Sequence, residues 1–393
     1  MNDAVNDIVR RVSEAPADEV RPHLSGPGYR HLRRSVVLAT ATVALVPLYI
    51  MTGVNLYQYR KVMRNEMIQP ISRLTLNAKK SLEYFLNFIQ TKPLKNELIQ
   101  YIKKNYLIYT TVGDDIPGQV FFTGYFEPIL QGSLNKDTEH QFPIYVQPDD
   151  LTTIDLSLFS DQFKGQTIVG RYINQRVVPY YDRKEIEYQR LLEGKVKEIA
   201  WLKDRLDLFF LQIQGSGKIY LDNGEIINVH YNGTNGHPYR SIGKLLVDEG
   251  KISREDISMQ KIHDYLHNHP EEIETVLNYN PSYVFFKVEK DGPIGSLEVK
   301  LTPGRSIALD RHLFPPAGLA FIETKKPLIN GDGTIHKWTA FSRFVLNQDT
   351  GGAIRGPSRA DLFWGNGPYA EIAAGHMQEF GKLYFLILKP DIL

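Results

Sequence analysis

The stretch Gln348-Asp349-Thr350-Gly351-Gly352-Ala353-Ile354-Arg355-Gly356-Pro357-Ser358-Arg359-Ala360-Asp361-Leu362-Phe363-Trp364-Gly365 sets two carboxylates in a glycine-rich, largely apolar ribbon. A glycine pair lets the backbone take a positive φ or come close to a ligand. An acid followed by Leu362, Phe363 and Trp364 invites desolvation, which raises its pKa and suits a general acid. A plainer reading stands beside this one. Asp-Thr-Gly-Gly is also an ordinary turn composition, and Asp361 with Arg359 also reads as a surface ion pair.

Three further stretches give the ribbon its meaning: Thr302-Pro303-Gly304-Arg305-Ser306-Ile307-Ala308-Leu309-Asp310, Phe121-Phe122-Thr123-Gly124-Tyr125-Phe126-Glu127-Pro128 and Leu211-Gln212-Ile213-Gln214-Gly215-Ser216-Gly217. Together, and in their order along the chain (121–128, 211–217, 302–310, 348–365), they resemble the membrane-bound lytic transglycosylase A family of peptidoglycan-cleaving enzymes, over about residues 74 to 393. The resemblance implies a mainly β fold. A six-stranded double-psi β-barrel would be built from segments 74–127 and 291–393. A second β domain, 128–290, would be inserted to form the other wall of a glycan groove. The family's three aspartates fall on Asp310, Asp349 and Asp361, with Asp361 catalytic and the other two supporting. The loop before the last aspartate varies in length in the family, and here Pro357-Ser358-Arg359-Ala360 fill it. Thr123, Gly124, Tyr125, Gln214, Ser216, Gly351 and Gly352 are the implied substrate contacts. The implied reaction breaks the β-1,4 bond between N-acetylmuramic acid and N-acetylglucosamine and leaves a 1,6-anhydro end. No metal or organic cofactor is implied, and the chain is expected to be monomeric, with cell-wall synthesis or division complexes as its setting.

Composition sets the outer bounds. With 393 residues the chain has room for two domains, and its 42% hydrophobic and 23% charged residues are those of an ordinary globular protein. Forty-six basic against forty-five acidic side chains leave no field to gather nucleic acid. The absence of cysteine excludes disulfides, thiolate metal sites, a cysteine nucleophile and a lipid-modified N-terminal cysteine, the anchor that many members of the resembled family use.

Another anchor stands in its place. Residues 1–34 read as a polar, disordered tail. Ser35 to Val54 carry no charge, and about twenty residues at ~1.5 Å each span a bilayer core of ~30 Å. Arg30, Arg33 and Arg34 lie before this run, and Arg60, Lys61 and Arg64 after it. The closer approach of the first group favours a cytoplasmic N-terminus. A cleaved signal is the alternative, but its small-residue triplet Ala39-Thr40-Ala41 lies at the start of the apolar run rather than after it. An uncleaved inner-membrane anchor, a linker over 55–73 and a catalytic part in the periplasm of a Gram-negative bacterium follow.

Beyond the linker, apolar spacing predicts helices over 74–90 and around Leu94 to Ile102. Short β-branched and aromatic runs then predict strands at Val120–Tyr125, Ile144–Val146, Leu206–Ile213, Lys218–Leu221 and Ile226–His230. Asp182 with Glu185 predicts a capped helix to about Leu192, Ser241 one that ends at Gly250, and Ser253 one running to about His267. A helix near Tyr369–Phe380 and a strand at Lys382–Leu388 close the chain.

Several signals point elsewhere. Gly215-Ser216-Gly217-Lys218 lacks the earlier glycine and the following hydroxyl of a phosphate-binding loop. His263, His267 and His269 suggest a metal, since a pair four apart shares a helix face, but the sequence places no acidic third ligand. Asp349-Thr350-Gly351 is the triplet of an aspartic protease, which needs two such lobes and hence a homodimer here. A non-catalytic peptidoglycan-binding module is the third alternative, and a mere binder has no reason to set Asp361 among apolar neighbours.

Overall fold

The computed structural model describes residues 71–392 apart from 112–115, 117 and 164. The predicted tail, the apolar run Ser35–Val54 and nearly all of the linker lie outside them. Among the described residues no helix is long and apolar enough to cross a membrane.

In chain order, helices α1 (Ile71–Gln90) and α2 (Lys95–Asn105) precede strands β1 (Tyr106–Thr110), β2 (Gln119–Glu127), β3 (Ile129–Ser133) and β4 (Phe142–Tyr145). Strands β5 (Thr152–Asp155), β6 (Thr167–Ile173) and β7 (Arg176–Pro179), helix α3 (Arg183–Glu187), β8 (Glu198–Leu202), α4 (Arg205–Gln214), β9 (Ser216–Leu221) and β10 (Ile226–Thr234) follow. Then come α5 (Ile242–Asp248), α6 (Met259–Asn268), α7 (Ile273–Asn278), β11 (Val284–Glu289), β12 (Ser306–Ala308), β13 (Leu319–Ile329), β14 (Ile335–Asp349), β15 (Arg359–Asn366), α8 (Pro368–His376) and β16 (Glu379–Leu388). Two compact units share these elements: the described residues up to Thr123 with those of 302–363 and 377–392, and the described residues of 124–301 with those of 364–376.

The first unit is built on a barrel. Strands β16, β13, β14, β12, β15 and β2 pair in that order, and β2 returns to β16 to close the ring; β1 extends β16. The short β12 is fully buried, runs parallel to β14 and antiparallel to β15, and so forms the middle of this part of the barrel. Helices α1 and α2 cover one side because their apolar residues recur at helical spacing. Phe85, Ile89, Leu98 and Ile102 pack with Tyr106, Leu319, Phe321, Leu386 and Leu388. Glu97 fixes the start of α2, its carboxylate accepting the Leu94 N–H at 2.6 Å.

The second unit has a six-stranded sheet, β11-β10-β9-β3-β8-β4, whose edges are brought together by a bridge between Val146 and Phe286. A three-stranded sheet, β5-β6-β7, belongs to the same unit. Helix α4 lies between two apolar clusters: Leu208 and Leu211 face the sheet, while Leu206 and Phe209 face α5, α6 and α7.

Three local expectations need correction. Leu206–Ile213, predicted as a strand, is the body of α4. Asp204 caps it, Oδ1 accepting the Leu206 N–H at 2.8 Å, and Gly215 ends it in the left-handed conformation at φ 78°. With apolar residues on both faces, its period was ambiguous from sequence. The helix predicted from Ser253 begins instead after Ser258, whose hydroxyl accepts the Lys261 N–H; Ser253 serves a turn with Asp256. The Asp182–Glu185 capping box forms as predicted, but α3 ends at Glu187 rather than Leu192.

Candidate active site

The three aspartates meet around β12. Ala308 pairs with Asp361 on β15 on one side and with Asp349 on β14 on the other. A register shift between Ile307 and Ala308 makes the second pairing: Ile307 faces Asn347, and Gln348 is skipped. Such a bulge re-aims the side chains that follow it. Asp310 lies just past the end of the same strand and is buried.

Each carboxylate has a different setting. Asp310 accepts the His312 N–H with Oδ1 at 3.0 Å and the Gly356 N–H with Oδ2 at 2.9 Å, and Arg355 Nη1 stands 3.8 Å from it. It thereby ties the loop after β14 to the end of β12. Asp349 accepts the Thr350 N–H at 2.9 Å. Asp361 accepts from the Thr123 hydroxyl at 2.9 Å, and that hydroxyl in turn receives Arg359 Nη2 at 3.3 Å. The Arg359 guanidinium lies 4.9 Å over the Phe121 ring. Asp361 itself is half-buried, and its neighbours along β15, Ala360, Leu362 and Phe363, are buried.

Burial decides the state of Asp361. It pushes the carboxyl up to about 6, against the Thr123 hydrogen bond and the Arg359 charge, which favour the carboxylate; the Asp349 charge adds to the rise. A carboxyl at that value is protonated in roughly one molecule in ten at pH 7, far more than an ordinary aspartate, and can both give and take a proton.

The glycines divide differently from the sequence expectation. Gly356, not Gly351 or Gly352, takes the left-handed conformation, with φ 85°. A Cβ on Gly352 would have no atom within 4 Å, so the backbone there faces open space. A Cβ on Gly351 would stand 3.1 Å from Ile354.

The remaining expected contacts belong to the second unit. A Cβ on Gly124 would stand 2.6 Å from Trp364 Nε1 and 2.8 Å from Ala374 Cα, so only glycine lets β2 approach β15 and α8 there. Tyr125 follows it and is part-exposed. Gln214 Oε1 accepts the Phe126 N–H at 3.0 Å, which fixes the amide at the end of α4. Ser216 is buried and pairs with His230, leaving little of it for a substrate to touch. Sequence reading passed over Glu127, which is buried, accepts from Asn366 Nδ2 at 2.9 Å and lies 3.6 Å from Lys218 Nζ; burial raises its pKa. Its apolar neighbours Phe126 and Pro128 were the available signal.

Two segments of the chain match known families. Residues 121–287 match the MltA specific insert domain and residues 305–387 the 3D domain. Membrane-bound lytic murein transglycosylase A of Escherichia coli K12 is 34% identical over 281 residues, covering 71% of this chain and 68% of that protein. The chain belongs to the membrane-bound lytic murein transglycosylase A family. The Vibrio cholerae member is 32% identical over 70% of this chain and 68% of its own length. A membrane-bound lytic murein transglycosylase crystal structure from Agrobacterium tumefaciens superposes with a TM-score of 0.67 at 31% identity, covering 84% of this chain and 92% of that one. The E. coli enzyme with bound chitohexaose gives 0.62 at 26% identity, covering 88% and 93%. Membership in the lytic murein transglycosylase A family makes the chain a peptidoglycan lytic transglycosylase and sets aside the protease and the non-catalytic binder.

Proposed function

We propose that this lytic transglycosylase cleaves the N-acetylmuramic acid–N-acetylglucosamine bond with Asp361 as its one proton carrier. Protonated Asp361 gives its proton to the glycosidic oxygen as the C1–O bond breaks. The resulting carboxylate then takes the proton of the muramic C6 hydroxyl, whose oxygen bonds to C1 and closes the 1,6-anhydro ring. Because the nucleophile comes from the substrate, the second carboxylate of an ordinary glycosidase is unnecessary. The observation that carries this reading is the setting of Asp361, whose carboxyl desolvation raises to about 6 and which accepts the Thr123 hydroxyl. The Asp349 charge adds to the rise that desolvation causes at Asp361, and Asp310 holds the loop.

The glycan-strand substrate is supported by the chitohexaose bound to the E. coli relative. Thr123, Gly124, Tyr125, Gln214, Gly351 and Gly352 are the proposed contacts, Gly352 by its open backbone and Ser216 only by its main chain. Ser35–Val54 would hold the enzyme in the inner membrane with its catalytic part in the periplasm. Digestion of purified sacculi with the products read by mass tests the reaction. Anhydromuramic ends are expected; reducing muramic ends would mean hydrolysis and overturn the proposal.

A further inference from the structure

Helices α4 and α6 meet at both ends. At one, Gln214 Nε2 points to Met259 Sδ at 3.8 Å. At the other stand Asp204, His263 and His267, whose donor atoms all lie within 4.8 Å of one another. His263 and His267 are one turn apart on α6, with their rings 4.9 Å apart at 24°. Asp204 spends Oδ1 on capping α4, and its other oxygen, Oδ2, is 3.9 Å from His267 Nδ1. Asp207, one turn into α4, interacts electrostatically with all three. His269 is elsewhere engaged, donating from Nδ1 to the Tyr265 carbonyl at 2.8 Å and stacking on the Tyr265 ring. The acid that the histidine pair lacked in the sequence therefore comes from a different helix.

We propose that Asp204, His263 and His267 bind one divalent transition-metal ion, with Zn²⁺ the ion that suits the donor set best. Two imidazoles and one carboxylate are a common zinc set, with water in the fourth position. Around a tetrahedral ion with ligands at ~2.0–2.2 Å, neighbouring donors lie about 3.4 Å apart. The three side chains close to that distance by side-chain rotation, which their partial exposure permits. The ion would clip the start of α4 to the end of α6. It would thereby steady the helix whose last residue, Gln214, receives the Phe126 N–H. None of the three ligands is a partner of Asp361, and the ion takes no part in proton transfer.

Metal-free full-length protein titrated with ZnCl₂ by calorimetry, and with Co²⁺ by visible absorption, tests this site. One saturable equivalent at micromolar affinity or tighter is expected, with the Co²⁺ bands of a four-coordinate nitrogen–oxygen site and a higher thermal midpoint in the zinc-bound form. His263→Ala and His267→Ala should each weaken binding at least ten-fold. Asp204→Asn should weaken it as well while leaving the apo midpoint near the parent's, because asparagine caps a helix as well as aspartate does. No saturable binding by the parent protein, or equal binding by folded His263→Ala and His267→Ala variants, would overturn the proposal.

Discussion

At Asp361, a hydroxyl and a guanidinium favour the carboxylate, and burial outweighs them both. The sequence showed two of these influences, Arg359 and the apolar run, but not the third, because Thr123 lies 238 positions away. Two predictions follow from that balance. The acid step needs the protonated form, so activity should fall as pH rises through about 6. Thr123→Val removes a hydrogen bond that favours the charged form, so this falling limb should move to higher pH; a limb that stays put or moves down would contradict the assignment. The second prediction concerns stability. A carboxyl whose folded pKa is raised contributes stability below its unfolded value, and that contribution is lost as pH rises through the folded value. Asp361→Asn should therefore match the parent near pH 4 and be more stable by roughly 1–3 kcal/mol at pH 7–8, as read by chemical denaturation at both pH values. A variant less stable than the parent at pH 8 would show that the carboxylate is well accommodated.

Among the elements, β2 carries the tightest requirement. It bears Thr123 and then Gly124, where a Cβ would run into the Trp364 indole and the α8 backbone. Gly124→Ala should cost about 1–3 kcal/mol, the usual range for overpacking, because Ala374 Cα belongs to a helix and cannot yield as a side-chain tip would. Unchanged thermal unfolding would mean that β2 and α8 separate freely. Elements with local signals were legible in the sequence: the Asp182–Glu185 box, the Ser241 cap and the amphipathic α1 and α2. Helix α4 was not. It is packed on two sides, so its apolar residues lose the period that marks a helix, and only Asp204 and Gly215 at its ends give it away. The bulge that sets Asp349 beside Ala308 also left no local trace, since register is a property of paired strands.

For the whole molecule, the order of the motifs carried the family and the barrel, because the ribbon that bears Asp349 and Asp361, the β12 stretch and the β2 stretch are separated in the chain yet pair in one sheet. The acid that joins His263 and His267 was invisible to helical spacing, which relates residues of one helix only. Attachment belongs to this scale too. Full-length protein is expected to fractionate with the inner membrane and a version beginning near residue 70 to be soluble and active; full-length protein shortened by about forty residues and free in the periplasm would make Ser35–Val54 a cleaved signal. The central claim, that one carboxyl performs both proton transfers, is tested most directly by the rate of anhydromuropeptide release from intact sacculi by Asp361→Asn, measured beside Asp310→Asn and Asp349→Asn with thermal unfolding of each. Loss of a general acid–base typically costs ~10²–10⁴ in rate. The account predicts a loss at or beyond the upper end of that range for a well-folded Asp361→Asn; near-normal release by this variant, with activity lost instead in a well-folded Asp349→Asn or Asp310→Asn, would contradict it.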